Sequence, residues 1–204
     1  MKKEEDNCRS TSEQTKHDVK KCKIKRLPSF LENTEVMRFL EVVDNPRDRF
    51  LFSALYYCGL RISEAIALKM EDFDLKNDIL TVRAETAKRK KERHVPIPKA
   101  FKPLCKLWEV TLEPDCEIFH MCRSTANNLC KRYAQVAGIS KKVSPHVLRH
   151  SYASHVLTMT NNLRLVQVLL GHENISTTAR YLHLNDASLR KGIEGVFDKE
   201  TPQK

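Results

Sequence analysis

Between positions 79 and 98 the apolar spacing of this chain drops to two, and that one stretch narrows the folds open to it more than any other feature. "ILTVR" (79–83) and "RHVPIP" (93–98) alternate apolar with polar residues, the pattern of strands that bury one face. Between them "AETAKRKKE" is polar and basic, so the pair reads as an antiparallel hairpin with a cationic tip. The rest of the chain that carries apolar periodicity carries it at helical spacing. "SFLENTEVMRFLEVV" sets Leu31, Val36, Leu40 and Val43 behind candidate starts at Ser29 and Asn33, which predicts one or two short amphipathic helices. "RDRFLFSALYYCGL" predicts a more buried helix stopped at Gly59, and "ISEAIALKM" a further helix with Ser63 and Glu64 in its first turn. Beyond Ala100, helices are expected around 102–110, 126–137, 146–159 and 163–170, the last ending at Gly171 in the position of a left-handed cap. The expected fold is mainly α with a small antiparallel β-sheet.

A chain of 204 residues with 41% hydrophobic content buries one core. The organisation expected is a polar, aperiodic tail over 1–26, one domain over 27–187 and a C-terminal segment over 188–204. Lys and Arg number 36 against 26 Asp and Glu, and a net charge of +10 suits a polyanionic partner, either nucleic acid or an anionic membrane surface. No apolar run reaches the length of a bilayer span and the first residues lack the apolar centre of a signal peptide, so a soluble, intracellular protein is expected. The seven Cys are odd in number and irregularly spaced, and several lie within apolar patterns, which points to reduced thiols. Cys116, His120, Cys122 and Cys130 lack the paired spacing of a tetrahedral zinc site, and buried thiols are expected there instead of a metal.

Three stretches carry groups able to do chemistry. In "SPHVLRHSYASHVL", His146, Arg149, His150 and Ala153 stand at i, i+3, i+4 and i+7 and share one helix face. That face is either solvated, with Arg149 in a structural ion pair, or built to meet an anion. In "CGLRISEA", Arg61 lies between a glycine stop and a helix start, where it either holds a phosphate or pairs with Glu64. "LLGHENISTTARY" places His172 and Tyr181 at the two ends of a helical corner.

Taken in order, "GLRISEAIAL", the basic hairpin "KRKKERHVPIP", "SPHVLRHSYASHVL" and "LLGHENISTTARYLHL" resemble the catalytic domain of the tyrosine recombinases, the family of phage integrases and Xer proteins. The resemblance runs from about 27 to 187. It implies that Arg61 and Arg149 grip the non-bridging oxygens of a scissile phosphate, that His146 belongs to the family's H-x-x-R-H helix and His172 to its L-G-H corner, and that Tyr181 is the nucleophile. Lys88 matches the hairpin lysine when aligned back from Lys91, Glu92 and Arg93; the family's glycines are absent there, and Lys90 is its rival.

These residue types suit the chemistry. A guanidinium fork matches two phosphate oxygens and stays charged. A tyrosine hydroxyl, with a pKa of about 10, needs a base or a cationic field, and His146 is placed to take its proton. A lysine on the hairpin would protonate the leaving 5′-oxygen. The resemblance implies no metal, cofactor, ATP, small-molecule substrate or membrane. Its implied partner is duplex DNA, bound by a homotetramer at the nucleoid in the cytoplasm. Two other functions share these residues: a DNA-binding regulator that no longer cuts, and a type IB topoisomerase-like relaxing enzyme. The family's usual N-terminal DNA-clamping domain is not visible in 1–26, so the chain is either a catalytic-domain-only member or a fragment. The segment after Tyr181, with Leu182, Leu184, Leu189, Ile193 and Phe197, either docks on a neighbouring protomer or packs in cis.

Overall fold

From Phe50 to Tyr57 every residue of helix α2 (Pro46–Tyr57) is buried, so this helix is enclosed by the rest of the chain. Its sequence dictates this, because "FLFSALYY" is apolar on all sides and a helix of that kind must be covered all round. Asn45 caps it by accepting from the backbone N–H groups of Arg47 and Asp48, Pro46 opens its first turn, and Gly59 follows its end with φ of 60°. The structure, a computed structural model, describes residues 30–84, 92–111, 113, 116–171, 195 and 197.

Around α2 pack α1 (Asn33–Glu41), α4 (Lys102–Thr111), α5 (Arg123–Val136) and α6 (Pro145–Thr160), while α7 (Leu163–Leu170) packs on α6. Aromatic rings bind these elements into one core. Phe50 meets Phe73, Phe101, Trp108 and Phe119, and Phe52 meets Phe39 and Tyr133. Ser144 caps α6 ahead of Pro145, and Asn161 ends it in the left-handed conformation, φ 48°. Asn162 then caps α7, which closes at Gly171 with φ of 65°. Asparagine enters the left-handed region more readily than other residues with a side chain, because its short amide can hydrogen-bond locally.

The expected hairpin is present as β2 (Ile79–Val82) and β3 (Arg93–Pro96), antiparallel, with Leu80 opposite Val95 and Val82 opposite Arg93. A third strand, β1 (Phe73–Asp74), pairs with β2 at the edge. Its two residues are too few to show a period. They are placed by a turn in which the Asp74 carboxylate accepts from the backbone N–H groups of Lys76 and Asn77.

Two expectations are corrected. The helix read over "ISEAIALKM" ends early, as α3 (Ile62–Ala65). Leu68 gives its carbonyl to the Ile118 N–H and Lys69 pairs with Glu117, so tertiary pairing takes the backbone that the helix would have used. Of the thiols expected to be buried, Cys130 is, whereas Cys116 and Cys122 are exposed, as is His120. Ile118 and Phe119 fill the core from that segment in their place. Among the described residues no group of three or more His, Cys, Asp or Glu is arranged to hold a metal ion, and no helix is long and apolar enough to cross a membrane.

Near the C-terminus, Phe197 is buried against Tyr56, Tyr57 and Tyr152, with ring centroids 5.5, 5.1 and 6.3 Å away. At this residue the C-terminal segment packs on its own chain.

Candidate nucleic-acid cleavage site

Glu64 is the centre of the polar architecture. Its side chain is 0% exposed, a costly place for a carboxylate unless cations surround it. Three guanidinium groups do. Arg61 donates from its backbone N–H to Oε2 at 2.8 Å and from Nη1 to Oε1 at 2.8 Å. Arg93 grips both oxygens, Nη1 to Oε1 at 3.0 Å and Nη2 to Oε2 at 2.7 Å. Arg149 Nη1 lies 3.8 Å from Oε2. Burial opposes ionisation of Glu64, but the hydrogen bonds and charge of Arg93, followed by those of Arg61, hold its pKa at about 2.

Helix ends place these residues. Arg61 is the N-cap of α3, two positions beyond the glycine that closes α2. Arg149 comes from the middle of α6 and donates from Nη1 to the Gly59 carbonyl and from Nη2 to the Leu170 carbonyl, the latter at 2.7 Å. It therefore joins the C-terminal ends of α2 and α7, where unpaired carbonyls and helix dipoles favour a cation. Its own pKa is pushed down to about 10, first by burial and then by the charge of Arg61. Gly59 is required at its position because Tyr152 packs against it: a Cβ there would lie 2.4 Å from Tyr152 Cδ1.

Three arginines and one glutamate leave two surplus positive charges in a largely buried cluster. Arg61, Arg93 and Arg149 keep 21, 13 and 10% of their side chains exposed, so the cluster is open at an edge. An anion with several oxygens, such as a phosphodiester, fits that charge and donor set. Of the two sequence readings of Arg61, the ion pair with Glu64 is present, and the charge left over in the cluster comes from three arginines around one carboxylate.

Of the expected site residues, the structure brings Arg61 and Arg149 together. His146 stands on α6 one turn before Arg149, exposed, with His150 half-buried beside it in sequence. Lys88, His172 and Tyr181 lie outside the described residues. The chain on which two of them follow or precede is described at Arg93 and Gly171, and these two positions adjoin: a Cβ on Gly171 would lie 3.2 Å from Arg93 Cδ.

Arg93 itself enters the sequence reading as a strand residue and as an anchor for aligning Lys88, with no role in the site. A signal was available, because Val95 and Ile97 are core-facing and a period of two puts Arg93 on the same side. An arginine on the buried face of a strand needs a carboxylate. Only the tertiary structure identifies it as Glu64, 29 positions earlier.

Residues 29–188 match the phage integrase family. A tyrosine recombinase of Pseudothermotoga lettingae is 36% identical over 169 residues, which cover 79% of this chain and 58% of that protein. Among solved structures, that of XerA recombinase superimposes with a TM-score of 0.66 at 30% identity, covering 87% of this chain and 67% of the other. The site-specific recombinase XerH, in a post-cleavage complex with its palindromic difH substrate, superimposes with a TM-score of 0.62 at 30% identity, covering 81% of this chain and 52% of the other. The chain therefore spans between about half and two thirds of the length of these relatives.

Proposed function

Because the chain belongs to the phage integrase family, we propose that it is a tyrosine recombinase, which cuts duplex DNA at a specific site and rejoins it in integration, excision, inversion or resolution. The observation that carries this reading is the surplus of positive charge around Glu64, gathered from Arg61, Arg93 and Arg149. Arg61 and Arg149 neutralise the non-bridging oxygens of the scissile phosphate, with greater effect in a site largely shielded from water.

The Tyr181 oxygen then attacks phosphorus. A tyrosyl–phosphate bond to the 3′ end forms as the bond to the 5′-oxygen breaks. His146 takes the phenolic proton, His172 faces the phosphate, and Lys88 delivers a proton to the leaving oxygen. The phosphotyrosyl link conserves the energy of the broken bond, so a 5′-hydroxyl from another strand reverses the step without metal, cofactor or ATP. The 27–187 segment is the catalytic domain in this reading, and a homotetramer on DNA in the cytoplasm, at the nucleoid, is the acting form.

The test is incubation of the protein with nicked duplexes that carry candidate sites, followed by denaturing electrophoresis. A denaturant-resistant adduct is expected from the wild type and none from Tyr181→Phe, which loses only the hydroxyl and should still shift the DNA in a native gel. An adduct that persists in Tyr181→Phe would remove Tyr181 as nucleophile. DNA binding without any adduct would favour the silent regulator, and relaxation of supercoiled plasmid with no site preference would favour the topoisomerase-like enzyme.

A further inference from the structure

We propose that Arg93 is a positioning residue of this site: it locks the Glu64 carboxylate and, through it, sets where Arg61 and Arg149 present their charge. The inference rests on the strand-cleavage reading above. Arg93 supplies two of the four hydrogen bonds that Glu64 receives from Arg61 and Arg93, one to each oxygen. The planar fork of a guanidinium fixes the plane of a bidentate carboxylate in a way a single donor does not. Glu64 Oε2 sits only 3.8 Å from Arg149 Nη1, so a carboxylate released by Arg93 is free to close on Arg149 and occupy a donor meant for the phosphate. A released, buried carboxylate also gains a proton more readily, and then no longer orients Arg61.

The placement of Arg93 gives it a second grip. The β2–β3 register pairs it with Val82, so the sheet holds its backbone at the base of the basic hairpin, five positions after Lys88. Its stem runs against Gly171, the residue before His172, whose neighbour Leu170 gives its carbonyl to Arg149. One side chain thus ties the hairpin strand, the start of α3 and the end of α7 to a single carboxylate. Arg93 acts through Glu64 and is assigned no contact with DNA.

The test compares single-turnover cleavage of a nicked duplex by the full chain carrying Arg93→Met, Arg93→Lys, Glu64→Gln and the double change Arg93→Met with Glu64→Gln. Arg93→Met keeps an apolar stem against Gly171 and should slow cleavage about 100-fold, the scale of a small displacement of reacting groups. Its deficit should widen as the pH falls from about 7 to 5, because Glu64 without Arg93 titrates closer to neutrality. A variant that merely lowers the folded fraction loses activity in proportion to that fraction. Arg93→Lys retains the charge and the fold with one donor in place of the fork, and should cleave at a rate between the two with an unchanged melting temperature. In the Glu64→Gln background, Arg93→Met should add less than about 3-fold, since both changes break the same linkage.

Cleavage by folded Arg93→Met within about 3-fold of the wild type would overturn the assignment, as would a full additional loss in the Glu64→Gln background. If Arg93→Met fails to fold, an undiminished rate in Arg93→Lys would likewise reduce Arg93 to structural support. No adduct from the wild type would instead remove the strand-cleavage reading itself.

Discussion

Gly59 and Gly138 share one backbone conformation, with φ of 60° and 64°, but differ in what surrounds them. Nothing lies within 4 Å of a Cβ built on Gly138, whereas one on Gly59 meets the Tyr152 ring at 2.4 Å. Gly138→Ala should therefore cost only the left-handed backbone penalty, about 1–2 kcal/mol. Gly59→Ala should cost that and an overpacking term of about 1–3 kcal/mol. Because the Gly59 carbonyl also accepts from Arg149, cleavage by Gly59→Ala should fall beyond what its folded fraction explains. Urea denaturation of both variants, with cleavage normalised to folded protein, checks this. Equal stability losses would show that the Tyr152 ring moves aside.

At the scale of elements, the packing of α2 on α6 includes one titratable contact. The Tyr56 hydroxyl lies 3.0 Å from His155 Nδ1, and both rings are buried, with Phe30 at the edge of the imidazole. Burial lowers the His155 pKa below its ordinary value of 6.5, so the folded protein favours the neutral ring. The unfolded chain protonates first as the pH falls. The stability linked to neutral His155 is thus fully present above pH 6.5 and is lost as the pH drops through that value toward the lower folded pKa. Urea midpoints should decline from pH 7.5 to 5, and His155→Gln, which does not titrate, should lose less over the same range. An identical decline in both proteins would place the acid-sensitive group elsewhere.

The molecule as a whole carries a net charge of +10, which governs how it would approach DNA. Each phosphate neutralised by Lys or Arg releases counterions, so duplex affinity should fall with salt on a log–log slope of about 0.9 per phosphate contact. Fluorescence anisotropy with a labelled duplex reads this directly, and an affinity independent of salt would count against a phosphate-tracking surface. The charge around Glu64 is a small part of the total. Changes there should therefore alter cleavage much more than binding.

The sequence by itself determined the features set by local sterics and periodicity. The switch to a spacing of two marked β2 and β3, glycine marked the ends of α2 and α7, and α7 falls at 163–170 as expected. These depend on a few neighbouring residues and on the chirality of the backbone, so they are legible in one dimension. Arg61 and Arg149 were legible as candidates because each stands in a distinctive local context, at a glycine stop or on a helix face. The tertiary structure alone decided that α3 ends at Ala65, that β1 exists, that Cys116 and Cys122 face outward, and that Arg93 shares Glu64 with Arg61. The first and the last of these are settled by partners distant in sequence, Ile118 and Glu117 for the chain after α3 and Glu64 for Arg93. A buried carboxylate takes whichever cations the packing of helices and strands brings to it, and no local pattern records that choice.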